Sequence, residues 1–164
     1  MNASLPPSAS RDLAEIRSLL VQVLAPAQRG GARLDRLTRV AATELAADER
    51  LQLLYPCRIV RTVAHDDAPP LGPSRYAPAR HGALLVTDQA VVLGALTGDR
   101  LVGVRRPRAD VTNVPLEFTR FLHVPTARMW IKWRDGGVWH CRSLRRAQAQ
   151  HVADLLRPGS CSRR

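Results

Sequence analysis

From Ser10 the apolar residues Leu13, Ile16, Leu20, Val23 and Leu24 recur at three- and four-residue intervals, which stacks side chains on one face of a helix. Ser10 is placed to cap that helix, Asp12 and Glu15 lie near the positive end of its dipole, and Pro26 ends it. After the break at Arg29-Gly30-Gly31, the stripe Leu34, Leu37, Ala41 and Leu45 predicts a second helix to about Asp48. Residues 1–50 therefore read as a pair of packing helices behind a disordered start.

Past Leu51 the period falls to two. Leu53, Tyr55, Cys57 and Ile59 alternate with Leu54, Arg58 and Val60, a strand pattern. His65 to Arg80 holds four of the twelve prolines and reads as a long loop. Short strands follow at Ala83–Thr87, Ala90–Leu96, Leu101–Arg105 and Val111–Val114, punctuated at Asp88-Gln89 and Gly98-Asp99, so the sheet is expected to be an antiparallel meander. Met129 to Ser143 forms a hairpin about Asp135-Gly136-Gly137. Pairing Arg134 with Val138 puts Met129, Ile131, Trp133, Trp139 and Cys141 on a core face and Trp130, Lys132, Arg134, His140 and Arg142 on a wet one. Helical spacing returns over Leu144 to Arg157 with Ala149, Val152, Leu155 and Leu156 as its stripe, stopped by Pro158-Gly159; this helix is expected to plug the barrel. Residues 159–164 read as a frayed tail.

Three strings carry a family likeness: Gly82 to Leu93, with its Leu-Val-Thr-Asp core; Arg105 to Val114; and Ile131 to Trp139 followed by the terminal helix. Together they resemble the bacterial pleckstrin-homology-like (PH-like) domains. The resemblance covers about Leu51 to Arg157 and implies an α+β, mainly β fold. In that fold a strongly bent, seven-stranded antiparallel barrel is capped by a carboxy-terminal helix, here spanning 51–158 behind the two helices. Two departures stand out. Ala90 replaces the basic residue usual after the Thr-Asp turn, and the first hairpin loop carries Asp66 and Asp67 with only Arg75 and Arg80 basic, which weighs against phosphoinositide recognition by that loop.

The chain has 164 residues, 45% hydrophobic and 24% charged, enough for one folded domain with a real core. It carries a net charge of +11, and Lys132 is the sole lysine among 25 basic residues. Guanidinium groups suit phosphate, yet the arginines are scattered along the chain as a coding bias would scatter them. The longest apolar runs, such as Leu19 to Leu24, fall short of the ~18 residues of a spanning helix. The amino terminus has no basic n-region and its first apolar stretch carries Arg11, Asp12, Glu15 and Arg17, so the protein is expected in the cytoplasm or peripherally at the membrane.

Candidate chemistry is sparse. His65, His81, His123, His140 and His151 show no metal-ligand spacing, and Cys57, Cys141 and Cys161 form no CxxC pair and read as reduced thiols. No phosphate loop, nucleophile elbow or dinucleotide fingerprint occurs. Neither catalysis, metal nor cofactor is therefore expected. What remains is surface: Arg105, Arg106 and Arg108 form one basic cluster and Arg142, Arg145 and Arg146 a second, and the two would make an anion site if they converged. The favoured reading is that each cluster merely solvates a loop. Trp130, between Arg128 and Lys132, is either a partner surface or buried beneath the helices. The first reading of function is a non-catalytic interaction module binding a protein partner, or a second copy, through the barrel surface and the helices. The alternative is a peripheral module binding anionic lipid headgroups through the arginine clusters, and nucleic acid ranks third because few aromatics are available to stack on bases.

Overall fold

A computed structural model describes residues 8–62 and 80–158. Helices α1 (Ser8–Val23) and α2 (Gly31–Glu44) precede strands β1 (Leu51–Thr62), β2 (Arg80–Thr87), β3 (Ala90–Thr97), β4 (Arg100–Pro107), β5 (Val111–Asn113), β6 (Leu116–Phe121), β7 (Val124–Trp133) and β8 (Val138–Arg145). Helix α3 (Arg146–Leu156) closes the chain. Every pairing is antiparallel, in the order β4-β3-β2-β1-β8-β7, with β5 and β6 one after the other along the free edge of β7. Eight strands thus fill seven positions, and the fold is the PH-like one that the resemblance implies. Most of the expected His65–Arg80 loop and the 159–164 tail lie outside the described residues.

Alternation assigns the two faces of β1 to β4. Leu53, Tyr55, Leu84, Val86, Val91 and Leu93 pair across neighbouring strands and point to the barrel interior, where Tyr55 Oη shares a 2.7 Å hydrogen bond with His151 Nδ1 of α3. Burial raises the Tyr55 pKa. The opposite set, Leu54, Leu85 and Val92, is just as deeply buried, because the α1–α2 hairpin lies over it. Ile16 and Leu20 of α1, Leu24 just past its end, and Leu34, Leu37 and Val40 of α2 join the strands in one hydrophobic cluster. Polar contacts then fix the hairpin in place. Arg17 pairs with Asp35, Arg39 with Asp99 at 2.9 Å, Arg36 Nε donates to Gly98 O at 3.1 Å, and Leu101 N donates to Glu44 Oε1 at 2.9 Å. Where β3 and β4 cross beneath, Gly94 faces Gly103, and a Cβ on Gly103 would stand 2.0 Å from Leu93 O.

Several boundaries differ from the sequence reading. Ser10 lies inside α1 rather than capping it. Helix α2 ends at Glu44, not Asp48, because Leu45 turns extended (ψ 132°) and the following turn brings Glu49 onto Arg105. The Met129–Ser143 hairpin pairs Lys132 with Val138, two residues from the expected register, because Gly136 takes the left-handed position (φ 86°) and Trp133 N donates to Gly137 O. A two-residue slip preserves the faces. Strand β8 continues through Arg145 past Ser143 (φ 62°), which delays α3 to Arg146. Strand β6 and the first half of β7 were absent from the strand pattern.

Leu37 of α2 is 2% exposed, packed onto the sheet's outer face. Replacing it with Ala is expected to cost about 2–5 kcal/mol in urea unfolding, as for a central core leucine. A cost under about 1 kcal/mol would mean that α2 merely rests on the sheet.

Candidate functional site

The two arginine clusters do not converge. Arg105 points to the outer face, where it donates to Glu44 O at 2.8 Å and pairs with Glu49, whose side chain is 5% exposed. Arg106, on the opposite face, pairs with Asp135 and lies 5.6 Å from the centre of the Trp133 ring. Its hydrogen bond, with that of the Gly137 amide, holds the Asp135 carboxyl below the usual carboxylate range. Arg108 donates to Gln52 Oε1 at 2.6 Å and to Leu155 O of α3. These three arginines tie the β4 end of the barrel to the second helix, the β7–β8 turn and α3 in turn. All three are engaged in the fold.

The second cluster has a different setting. Arg142 is half-buried, while Arg145 and Arg146 are exposed where β8 enters α3. Arg145 lies opposite Thr126 of β7, and the Arg146 guanidinium sits 4.1 Å over the Phe118 ring of β6. Both therefore flank the β6–β7 hairpin, which no uninterrupted strand pattern in the sequence marks. Its tip is the two-residue turn Leu122–His123, closed by Phe121 opposite Val124. Both tip residues have positive φ, 46° and 66°, a conformation that glycine and asparagine adopt cheaply and a leucine does not. Leu122 is nonetheless 80% exposed, with Val124 and Phe118 each 43% exposed beside it.

The charges around this apolar tip are of one sign. Arg120 sits next to it in register with Pro125, Arg145 and Arg146 stand at its base, and the hairpin's single carboxylate, Glu117, pairs with Arg128 at 3.7 Å. A leucine-tipped loop in a collar of arginines combines apolar insertion with attraction to anions. The sequence carried one signal of it: Leu116 and Phe118 alternate with Glu117 and Thr119, but Pro115, His123 and Pro125 hide the period.

Trp130 is half-buried and stacks flat on His140, centroids 4.7 Å apart and planes 6° apart. His140 Nε2 is buried without a hydrogen-bond partner among the described residues. Burial, then the charges of Arg142 and Arg128, lower the His140 pKa to about 4. The inward thiols Cys57 and Cys141 lie together; the hydrogen bond to Cys57, then burial, push the Cys141 thiol well up, opposite to the shift of a nucleophile. Among the described residues no three His, Cys, Asp or Glu side chains gather in a way that could hold a metal ion. No helix among them is long and apolar enough to cross a membrane.

Neither a protein-family model nor a curated protein sequence matches the chain. Among solved structures, it is similar to the truncated linker-DH/PH domains of p115-RhoGEF, with a TM-score of 0.48 and 10% identity over 90% of this chain and 39% of that one. It is also similar to the DH/PH fragment of PDZRhoGEF in complex with human RhoA, with a TM-score of 0.45 and 8% identity over 90% of this chain and 38% of that one. The chain thus spans under two-fifths of the length of these chains.

The His140 environment sets a pH dependence. Its folded pKa is depressed, so as pH falls below about 6.5 the unfolded chain binds a proton that the folded ring refuses until about 4. Stability is expected to drop through that window. A His140→Phe variant, which keeps an aromatic ring against Trp130, should lose that part of the slope when urea midpoints are compared at about pH 7 and about pH 5; an identical slope in both proteins would rule out a suppressed His140 titration.

Proposed function

We propose that this chain is a non-catalytic interaction module that docks on anionic membrane surfaces through the β6–β7 hairpin. The observation that carries the reading is Leu122. A bulky residue held at positive φ and 80% exposed lowers stability on both counts, so the fold itself gives no reason for it. Insertion into the boundary between headgroups and acyl chains supplies one.

The anion contacts in this reading belong to Arg120, Arg145 and Arg146, which are exposed around the hairpin, whereas Arg142 is half-buried opposite Arg58 of β1. Arg105, Arg106 and Arg108 are assigned to holding the barrel together. Each arginine near an anionic leaflet contributes about 1 kcal/mol and one buried leucine roughly 2 kcal/mol. The total, about 5 kcal/mol, corresponds to weak, reversible docking that collapses at high salt. A protein partner bound through the N-terminal helices has less support. Their apolar stripes are turned onto the sheet, leaving Leu13 and Val21, each 39% exposed, as their larger apolar contribution to the surface.

Co-sedimentation with vesicles tests the reading. The protein is expected to pellet with phosphatidylserine-containing vesicles and not with pure phosphatidylcholine, to be released by salt, and to lose most binding as Leu122→Asp or as Arg120→Gln/Arg146→Gln. Equal binding by Leu122→Asp, or no pelleting with either vesicle, would remove the membrane assignment and return a protein partner to first place.

A further inference from the structure

A second feature lies away from the hairpin. Where the start of α2 passes over the outer face of β1 and β2, a cleft of about 350 Å³ opens between helix and sheet. That is within the range of pockets that enclose small ligands, roughly 300–1,000 Å³. Arg33 and Arg36 from α2 and Arg58 from β1 supply its charge, with His81 from β2 beside them. None of its lining residues is a carboxylate.

These side chains differ from the other outer-face arginines. Arg17, Arg39 and Arg105 each meet an Asp or Glu. The side chains of Arg33, Arg58 and His81 make no hydrogen bond or ion pair with any described residue, and that of Arg36 uses only its Nε, on Gly98 O. Register explains the convergence: Arg58 pairs directly with His81, so both side chains leave the same face of neighbouring strands, and α2 sets Arg33 and Arg36 one helical turn apart above them. Guanidinium groups that line one cleft with no carboxylate among its lining residues repel, and the repulsion is relieved by an anion that takes hydrogen bonds from several at once. The cleft also lies at the start of α2, where Gly30 supplies no side-chain acceptor for the first-turn amides. Gln28 Oε1, which accepts from Ala25 N at 3.0 Å and from Gln148 Nε2 at 2.7 Å, fixes the wall that joins this end of the helical hairpin to α3.

We infer that the cleft between α2 and the β1–β2 pair is a binding site for a phosphate-bearing small ligand, gripped by Arg33, Arg36 and Arg58 with His81 beside them. Phosphate fits better than carboxylate because several forked guanidinium groups converge and a phosphate has enough oxygens to meet them all. A free phosphate compound and a phosphomonoester headgroup share this chemistry. The inference is independent of the hairpin reading, because the two sites have no residue in common.

Calorimetry with inorganic pyrophosphate and sedimentation with phosphatidylcholine vesicles doped with phosphatidic acid test it on the full chain. Each is run on wild type, Arg33→Gln/Arg58→Gln and Arg145→Gln/Arg146→Gln. Pyrophosphate is expected to bind wild type and the Arg145/Arg146 variant alike, and to bind the Arg33/Arg58 variant roughly tenfold or more weakly. Arg33 and Arg58 are exposed and unpaired among the described residues, so matching thermal melts should show the variant folded. Dependence on Arg33 and Arg58 seen only with the vesicles assigns the site to a lipid headgroup and supports it equally. Binding of neither probe, or binding that the Arg33/Arg58 variant retains in full, overturns the inference.

Discussion

The central strands of this molecule are buried on both faces, and the rest of the structure follows from that. Leu84, Leu85 and Val86 of β2, and Val91, Val92 and Leu93 of β3, are at most 3% exposed, so consecutive side chains that point in opposite directions are all removed from water. Antiparallel sheets often leave one face wet; this one cannot, because its outer face carries leucine and valine. The α1–α2 hairpin is what covers that face. Without it the apolar surface of Leu54, Leu85 and Val92 would lie open, a patch that a folded soluble chain does not leave in water.

That constraint sorts the arginines into two kinds. The excess of positive charge looks uniform along the chain, but in space part of it is neutralised by specific partners and part is not. Arg105, Arg106 and Arg108 hold the second helix, the β7–β8 turn and α3 against the end of β4, and Arg17 and Arg39 hold the helices to each other and to the β3–β4 turn, while Arg36 gives only its Nε to that turn and lines the cleft as well. Arg120, Arg145 and Arg146 collar an exposed leucine, and Arg33 and Arg58 face a cleft. Function is sought among the second kind, where electrostatic attraction is not already satisfied within the fold.

Much of the fold was legible in the sequence because both periodicities were strong. The stripe Leu34, Leu37, Ala41 and the alternation Leu53, Tyr55, Cys57, Ile59 each point one way, and the structure buries them as they predict. The hairpin register was harder to read, since two adjacent glycines allow either to take the left-handed position and only the faces survive the slip. The β6–β7 hairpin was missed for a related reason: a leucine and a histidine at positive φ give no turn signal, and two prolines interrupt the strands that flank them. Sequence proximity also misled at the site. Arg105, Arg106 and Arg108 are neighbours along the chain but leave a strand end in different directions, whereas Arg33, Arg58 and His81 are distant in sequence and meet through strand register and helix placement.

Helical hairpin and barrel share one core. Native-state hydrogen exchange measures it directly, by comparing the opening free energies of the α2 amides from Leu37 to Ala41 with those of β2 from Ala83 to Val86. The shared core predicts that both segments open only with global unfolding and at the same free energy. Exchange of the α2 amides through a separate, much cheaper opening, with β2 still protected, would contradict it.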